Sequence, residues 1–271
     1  MKPVRLGTKF EEKVWGATEL QPWFPDSDRK IGEVWFTADE PLPLLIKFLF
    51  TTGKLSVQVH PDDDYGRKHE NSPGKTEMWH ILRAGADSRI AVGFREPVTK
   101  DQVRQAIAKG ELESLLQWYP VKPGDTFLTP ARTVHAIGAG IALCEIQQHS
   151  DVTYRLYDYG RPRELHIDKA LEVADLGPHP GPQNRKSIAD DHQELATCRY
   201  FTTDLLRWKA PFLYAPDRTC RHFLIFLEGK GTIAGQPFRQ GETWLTTAGA
   251  DDFPVKPEGP VRLLRTYAPA E

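Results

Sequence analysis

With 22 prolines and 21 glycines spread through 271 residues, the chain leaves little room for long helices. These residues punctuate short runs rich in Val, Ile, Leu, Phe and Thr, the pattern of a mainly β chain whose strands are joined by turns. Helix signals are few. After Pro97, Thr99 and Gln102 have capping-box spacing, and Val103, Ala106 and Ile107 form a narrow apolar stripe. Gly110 predicts a break before a second short helix carrying Leu112, Leu115 and Leu116, and a third is expected from Ile167 to Val173. The Pro- and Gly-rich stretch from Leu176 to Pro182 cannot continue that helix, and residues 176–193 read as a linker.

A weak internal repeat sorts the strands into two halves. Gly124-Asp125-Thr126-Phe127-Leu128-Thr129-Pro130-Ala131 is echoed by Gly241-Glu242-Thr243-Trp244-Leu245-Thr246-Thr247-Ala248, an offset of 241 − 124 = 117. Trp79-His80-Ile81-Leu82-Arg83-Ala84-Gly85 resembles Phe223-Leu224-Ile225-Phe226-Leu227-Glu228-Gly229, an offset of 229 − 85 = 144. The helical segment after Pro97 accounts for the difference. The expectation is two related β domains, residues 1–175 with a helical insertion near 99–118, and residues 194–271. Under these offsets Glu77 aligns with Arg221 and His135 with Asp252, so one metal site, in the first domain, is expected.

Charge and apolar patterning narrow the function. Against 35 basic residues stand 37 acidic ones, without the surplus of positive charge that a nucleic-acid partner calls for. The most apolar stretch, Leu42 to Phe50, is interrupted by Pro43 and Lys47 and falls far short of the roughly 18 residues of a membrane span. The N-terminus carries no signal-peptide core. Cys144, Cys198 and Cys220 are widely spaced with no C-x-x-C pair, which argues against a disulfide framework or a cysteine zinc site. A cytoplasmic protein, with neither nucleic acid nor membrane as partner, is the expectation.

Chemistry concentrates in the first half. Ser56-Val57-Gln58-Val59-His60 alternates, so on a strand Ser56, Gln58 and His60 share one face. Pro61 and the acidic turn Asp62-Asp63-Asp64 are expected to end that strand. Glu77 opens the next apolar run and His135 follows the turn at residues 130–133. Each has an ordinary reading as strand surface, surface carboxylate or loop histidine. Together, imidazole and carboxylate ligands without thiolate suit Zn(II), and also Fe(II), Mn(II) or Co(II).

Several longer motifs contain these residues. Leu55-Ser56-Val57-Gln58-Val59-His60-Pro61-Asp62-Asp63, Gly74-Lys75-Thr76-Glu77-Met78-Trp79, His135-Ala136-Ile137-Gly138 and residues Ser150 to Tyr159 closely resemble class I mannose-6-phosphate isomerases, in the short bacterial form. Trp15-Gly16, Gly32-Glu33-Val34-Trp35, Pro43 to Phe48 and His166 to Leu171 extend the likeness over most of residues 10–175. The resemblance implies two cupin-type β-barrel (jelly-roll) domains and a zinc ion, one per chain, on Gln58, His60, Glu77 and His135. It implies a catalytic role for Arg155, catalytic or substrate-contacting roles for Lys75 and Glu145, and phosphate contacts at Ser56 and Arg161. A phosphosugar is the implied partner. One departure is Ile137, where longer members carry a tyrosine.

Isomerising an aldose to a ketose moves a proton between C2 and C1 through an enediol, so negative charge on adjacent oxygens must be stabilised. A divalent metal and a fixed guanidinium can both do so. A base within reach of both carbons is also required, and Glu145 and Lys75 both qualify. For Arg155 the competing reading is an ion pair with Asp151 or Asp158, and for Arg161 a solvated loop charge. Competing functions are a cupin Fe(II) oxygenase using His60, Glu77 and His135, and a catalytically silent cupin that senses a sugar phosphate.

Overall fold

The computed structural model describes residues 2–269. Strands dominate and form four sheets in which all neighbours are antiparallel. In the first half, a six-stranded sheet runs Gly7–Ala17, Ile31–Thr37, Leu44–Phe50, Ile141–Gln148, Glu77–Ala84 and Thr126–Thr129. It faces a five-stranded sheet of Tyr154–Tyr157, Val57–Val59, His135–Ile137, Arg89–Phe94 and Leu116–Pro120. The second half repeats the plan. A seven-stranded sheet contains Thr243–Thr246, His222–Glu228, Val261–Tyr267 and Thr202–Trp208, and a four-stranded sheet contains Phe212–Tyr214, Phe253–Pro257, Lys230–Ile233 and Gln236–Arg239. The walls of each half are hydrogen-bonded as separate sheets.

Alternation along the strands assigns each residue to a layer. On Leu44–Phe50, all of whose residues are buried, Leu44, Ile46, Phe48 and Phe50 pack against Leu205, Phe223, Ile225 and Leu264 of the seven-stranded sheet and Phe201 just before it. The intervening Leu49 belongs instead to the interior of the first half, with Trp79, Ile81, Leu143 and Ile137. The six- and seven-stranded sheets thus share one apolar layer, and the second half covers a face that would otherwise meet water. The first strand of the chain, Val4–Arg5, joins the second half's sheet by pairing with Thr243–Thr246.

The expected helices form at Lys100–Lys109 (α2), Leu112–Leu115 (α3) and Ile167–Val173 (α4). At α2 both halves of the Thr99–Gln102 capping box are present, and Gly110 ends the helix in the left-handed conformation at φ 72°. The insertion is visible by comparison: the hairpin Lys230–Ile233 to Gln236–Arg239 turns through two residues, whereas its counterpart, Arg89–Phe94 to Leu116–Pro120, is interrupted by α2 and α3. A further helix, α1 at Asp63–Glu70, was not expected from the sequence. The acidic turn after Pro61 starts it, with the Asp62 carboxylate capping the Tyr65 amide, Asp63 and Asp64 in the first turn and Arg67, Lys68 and His69 in the last, as the helix dipole favours. Part of the stretch read as a linker is also strand, Lys186–Ala189. No helix among the described residues is long and apolar enough to cross a membrane.

Cross-strand register corrects the repeat by one residue. Glu77 lies opposite Thr129, and Thr246, 117 residues after Thr129, lies opposite His222, so His222 rather than Arg221 occupies Glu77's place. In a strand that slip moves a side chain to the other face. Similarly, Glu145 pairs with Lys47 across from Trp79, and Arg265 pairs with Asp204 across from Leu224. The second half therefore carries the Lys47–Glu145 ion pair with its charges exchanged, as Asp204–Arg265 at 2.6 Å. Asp252, expected opposite number of His135, lies outside the strands and within 3.9 Å of Arg218.

Candidate active site

Three strands and their ends bring the candidate ligands together inside the first half. Gln58 and His135 are directly opposite each other on neighbouring strands, His60 follows at the end of the same strand as Gln58, and Glu77 enters from the facing sheet. Val57, Val59, Val134 and Ala136 point the other way, into a separate apolar cluster that α2, α3 and α4 cover. His60, Glu77 and His135 are all buried, and one ligand atom from each lies within 4.8 Å of the others. Nε2 of His60 is 3.5 Å from Glu77 Oε2, and Nε2 of His135 is 3.3 Å from Glu77 Oε1.

The outer nitrogens settle the tautomers. Nδ1 of His60 is 2.8 Å from the Val152 carbonyl and Nδ1 of His135 is 2.9 Å from the Thr133 carbonyl. A carbonyl oxygen can only accept, so each Nδ1 carries the proton and each Nε2 lone pair turns inward. Both Nε2 atoms and both Glu77 oxygens are buried without a well-formed hydrogen bond. Burial, reinforced by Lys75, pushes His60 down to about 3, and burial likewise lowers His135. For Glu77, desolvation would raise the pKa, but the Lys75 ammonium outweighs it and holds the carboxyl well below the usual carboxylate range. Two neutral imidazoles and one carboxylate, inward-facing and without well-formed hydrogen bonds, fit a divalent cation.

Around this triad stand two buried ammonium groups. Lys75 Nζ lies 3.2 Å from Glu77 Oε2; desolvation opposes its charge, but Glu77 and Glu145 raise its pKa on balance. Lys47 is only 2% exposed, with Nζ 3.4 Å from Glu145 Oε2, 3.6 Å from Asp151 Oδ1 and 4.5 Å from the Trp35 ring centroid. Glu145 also accepts a 3.0 Å hydrogen bond from Trp79 Nε1, and the Trp79 ring meets His135 edge-on. Burial, and then the charge of Glu77, raise the Glu145 pKa despite Lys47 and Lys75. Lys47 is not among the site residues that the motifs imply. Its signal was a lysine amid Leu44-Leu45-Ile46-Lys47-Phe48-Leu49-Phe50, where a charge is costly unless it is paired.

The remaining candidates separate. Arg155 sits opposite Gln58 on the neighbouring strand. Neither competing ion pair forms: Asp158 is taken by Arg161 and Arg163, and Asp151 approaches Lys47. Arg155 Nε is buried without a hydrogen bond. The Ser56 hydroxyl lies 3.4 Å from Gln58 Oε1. Arg161 is held outside this cluster, by Asp158 at 2.7 Å and the Lys54 carbonyl at 2.8 Å. Ile137 forms apolar wall at 1% exposure, on the same strand face as His135, so no phenol takes its place.

No family model matches the chain. Against individual proteins, the mannose-6-phosphate isomerase ManA of Bacillus subtilis is 33% identical over 315 aligned positions that cover 94% of this chain and 96% of the relative. The chain belongs to the mannose-6-phosphate isomerase family. A Streptococcus mutans mannose-6-phosphate isomerase is 35% identical over 65% of this chain and 69% of its own length. The crystal structure of a B. subtilis mannose 6-phosphate isomerase superposes with a TM-score of 0.89 at 27% identity, covering 98% of this chain and 99% of that one. A Salmonella typhimurium phosphomannose isomerase variant reaches 0.79 at 15% identity, a likeness of fold alone. The two-half β architecture is thus that of mannose-6-phosphate isomerases, and the triad lies within the half that holds the family's motifs.

Proposed function

We propose that this chain is a metal-dependent aldose–ketose isomerase that interconverts mannose 6-phosphate and fructose 6-phosphate through an enediol. The observation that carries this reading is the buried, inward-facing triad of His60, Glu77 and His135 beside Lys75, Lys47, Glu145 and Arg155, in a chain related to B. subtilis ManA over nearly all its length. Residues 1–175 form the catalytic unit in this proposal, 176–193 the connection and 194–271 a metal-free partner.

Zinc is the proposed ion, held by Gln58, His60, Glu77 and His135, and a divalent cation there would act as a Lewis acid toward the two oxygens of the reacting carbons. Arg155, with no carboxylate partner, is assigned to the negative charge that develops on those oxygens. Lys75 adds a second positive charge beside Glu77. Glu145 is assigned the proton transfer between C2 and C1: burial and the charge of Glu77 favour its protonated form, while Lys47, 3.4 Å away, and Lys75 favour the carboxylate. Ser56 and Arg161 are assigned to the phosphate, whose binding would hold the sugar in place.

The test is conversion of mannose 6-phosphate by purified protein before chelation, after chelation and after zinc is restored. Loss and recovery of activity are expected. A folded, zinc-loaded protein without turnover, or one that consumes oxygen with Fe(II), would overturn the assignment. In deuterated solvent, Glu145→Gln is expected to abolish label uptake at the substrate carbon, and retention of uptake with its loss in Lys75→Met would transfer the base to Lys75.

A further inference from the structure

The catalytic strand's entry loop is tied to the second half of the chain by one carboxylate. Asp63, in the first turn of α1 and 7% exposed, accepts the Gly74 amide at 2.9 Å and Gln148 Nε2 at 2.9 Å on Oδ1. Gln148 Oε1 in turn accepts the Thr76 amide at 2.8 Å. These bonds bracket Lys75, and Glu77 follows directly. On its other oxygen, Asp63 receives the Tyr200 hydroxyl at 3.2 Å, a residue 137 positions away in sequence. The Tyr200 ring packs against the apolar layer between the six- and seven-stranded sheets, so the second half determines where that hydroxyl points. Tyr200 and Asp63 line the same groove of about 860 Å³ between the halves.

Close backbone contact makes the loop follow the helix. A Cβ at Gly74 would lie 2.5 Å from the Asp62 carbonyl carbon, and one at Gly66 would lie 2.7 Å from the Ser72 carbonyl oxygen. The turn over residues 71–75 therefore lies against α1 with no side chain between them. A displacement of Asp63 has no soft contact to absorb it before it reaches Lys75.

We propose that Tyr200 and Asp63 form a brace through which the second half sets the position of Lys75 and Glu77, making both positioning residues for the isomerisation. The kinetic part rests on the isomerase reading above, while the structural part does not. Multiple donors converging on one buried carboxylate are strong, directional contacts, and small misplacements of reacting groups are expensive in rate.

The experiment compares Tyr200→Phe with Tyr65→Phe in the zinc-loaded full chain. The second variant removes a hydroxyl on α1 that donates to Glu172 at 2.6 Å, away from the loop. Measured are amide hydrogen exchange at Gly74 and Thr76, kcat, KM and the thermal midpoint. Tyr200→Phe is expected to speed exchange at both amides and lower kcat by about three- to tenfold, with KM within about twofold and the thermal midpoint near wild type. Tyr65→Phe moves none of these. Asp63→Asn should exceed Tyr200→Phe on every local readout; if it does not fold, Tyr200→Phe alone decides. Wild-type exchange at Gly74 and Thr76 in Tyr200→Phe, or the same acceleration in Tyr65→Phe, would overturn the brace. A wild-type protein inactive on mannose 6-phosphate would instead overturn the isomerase reading, with the exchange data still deciding the brace.

Discussion

Replacing Lys47 with methionine removes one half of a buried ion pair while nearly preserving volume. At 3.4 Å, an effective dielectric of about 20 gives an attraction of about 5 kcal/mol, but the loss in stability is capped because Glu145 can take up a proton. Taking 4.5 as its ordinary pKa, protonating it at pH 7 costs 2.5 units at about 1.4 kcal/mol each, or about 3.4 kcal/mol. The sign follows: without Lys47 the folded-state pKa of Glu145 rises further above its unfolded value. The penalty is then largest above that raised value and disappears as pH falls toward 4.5. Because Glu145 is already raised in the wild type, part of that cost is present before the change, so urea unfolding of Lys47→Met is expected to show a loss of at most about 3 kcal/mol at pH 7 and under about 1 kcal/mol at pH 5. The double variant with Glu145→Gln should recover most of the pH 7 loss, since no charge is left unpaired. A loss of the same size at both pH values, or none in either, would refute the paired-charge account.

Three further outcomes are expected. His135→Ala should lower zinc content and isomerase activity together; normal activity at unchanged zinc content would remove His135 from the ligand set. Arg155→Ala should keep zinc and fold while kcat falls by about 10²-fold or more, the usual scale for a lost oxyanion donor; failure to retain metal would make Arg155 structural. His80 and His222 are buried, and burial lowers them to about 3 and about 4 from an ordinary 6.5. They stay neutral in the folded protein while the unfolded chain takes up protons, so stability is full above pH 6.5 and lost as pH falls. Together they remove about 4 kcal/mol by pH 5, and urea titrations of His222→Gln should show about half that slope.

The features legible in the sequence are those whose cause is local. The Thr99–Gln102 capping box, the Gly110 stop and the alternation through Ser56-Val57-Gln58-Val59-His60 each depend on residues within four positions of one another, and each appears where expected. The start of α1 is equally local, but an acidic turn after Pro61 suits the end of a strand as well as the cap and first turn of a helix, and the structure shows the helix. The motifs around Gln58, Glu77 and His135 identified the family because several fall in order.

What only the tertiary structure decided depends on strands far apart in the chain. The sequence placed Glu77 against Arg221, while pairing with Thr129 and its counterpart Thr246 places His222 there, a one-residue slip that short similar segments cannot resolve but that exchanges the faces of a strand. Lys47 was visible as a lone charge in an apolar run, but its partner Glu145 is 98 residues away and meets it only across two strands. Likewise, the freedom of Arg155 follows from Asp158 being occupied by Arg161 and Arg163. The sequence by itself determined which short segments turn, cap and alternate, because backbone propensity and side-chain period act over a few residues. Which side chains share the buried site was decided by cross-strand register, because in an antiparallel sheet contact is set by the partner strand rather than by neighbours in the chain.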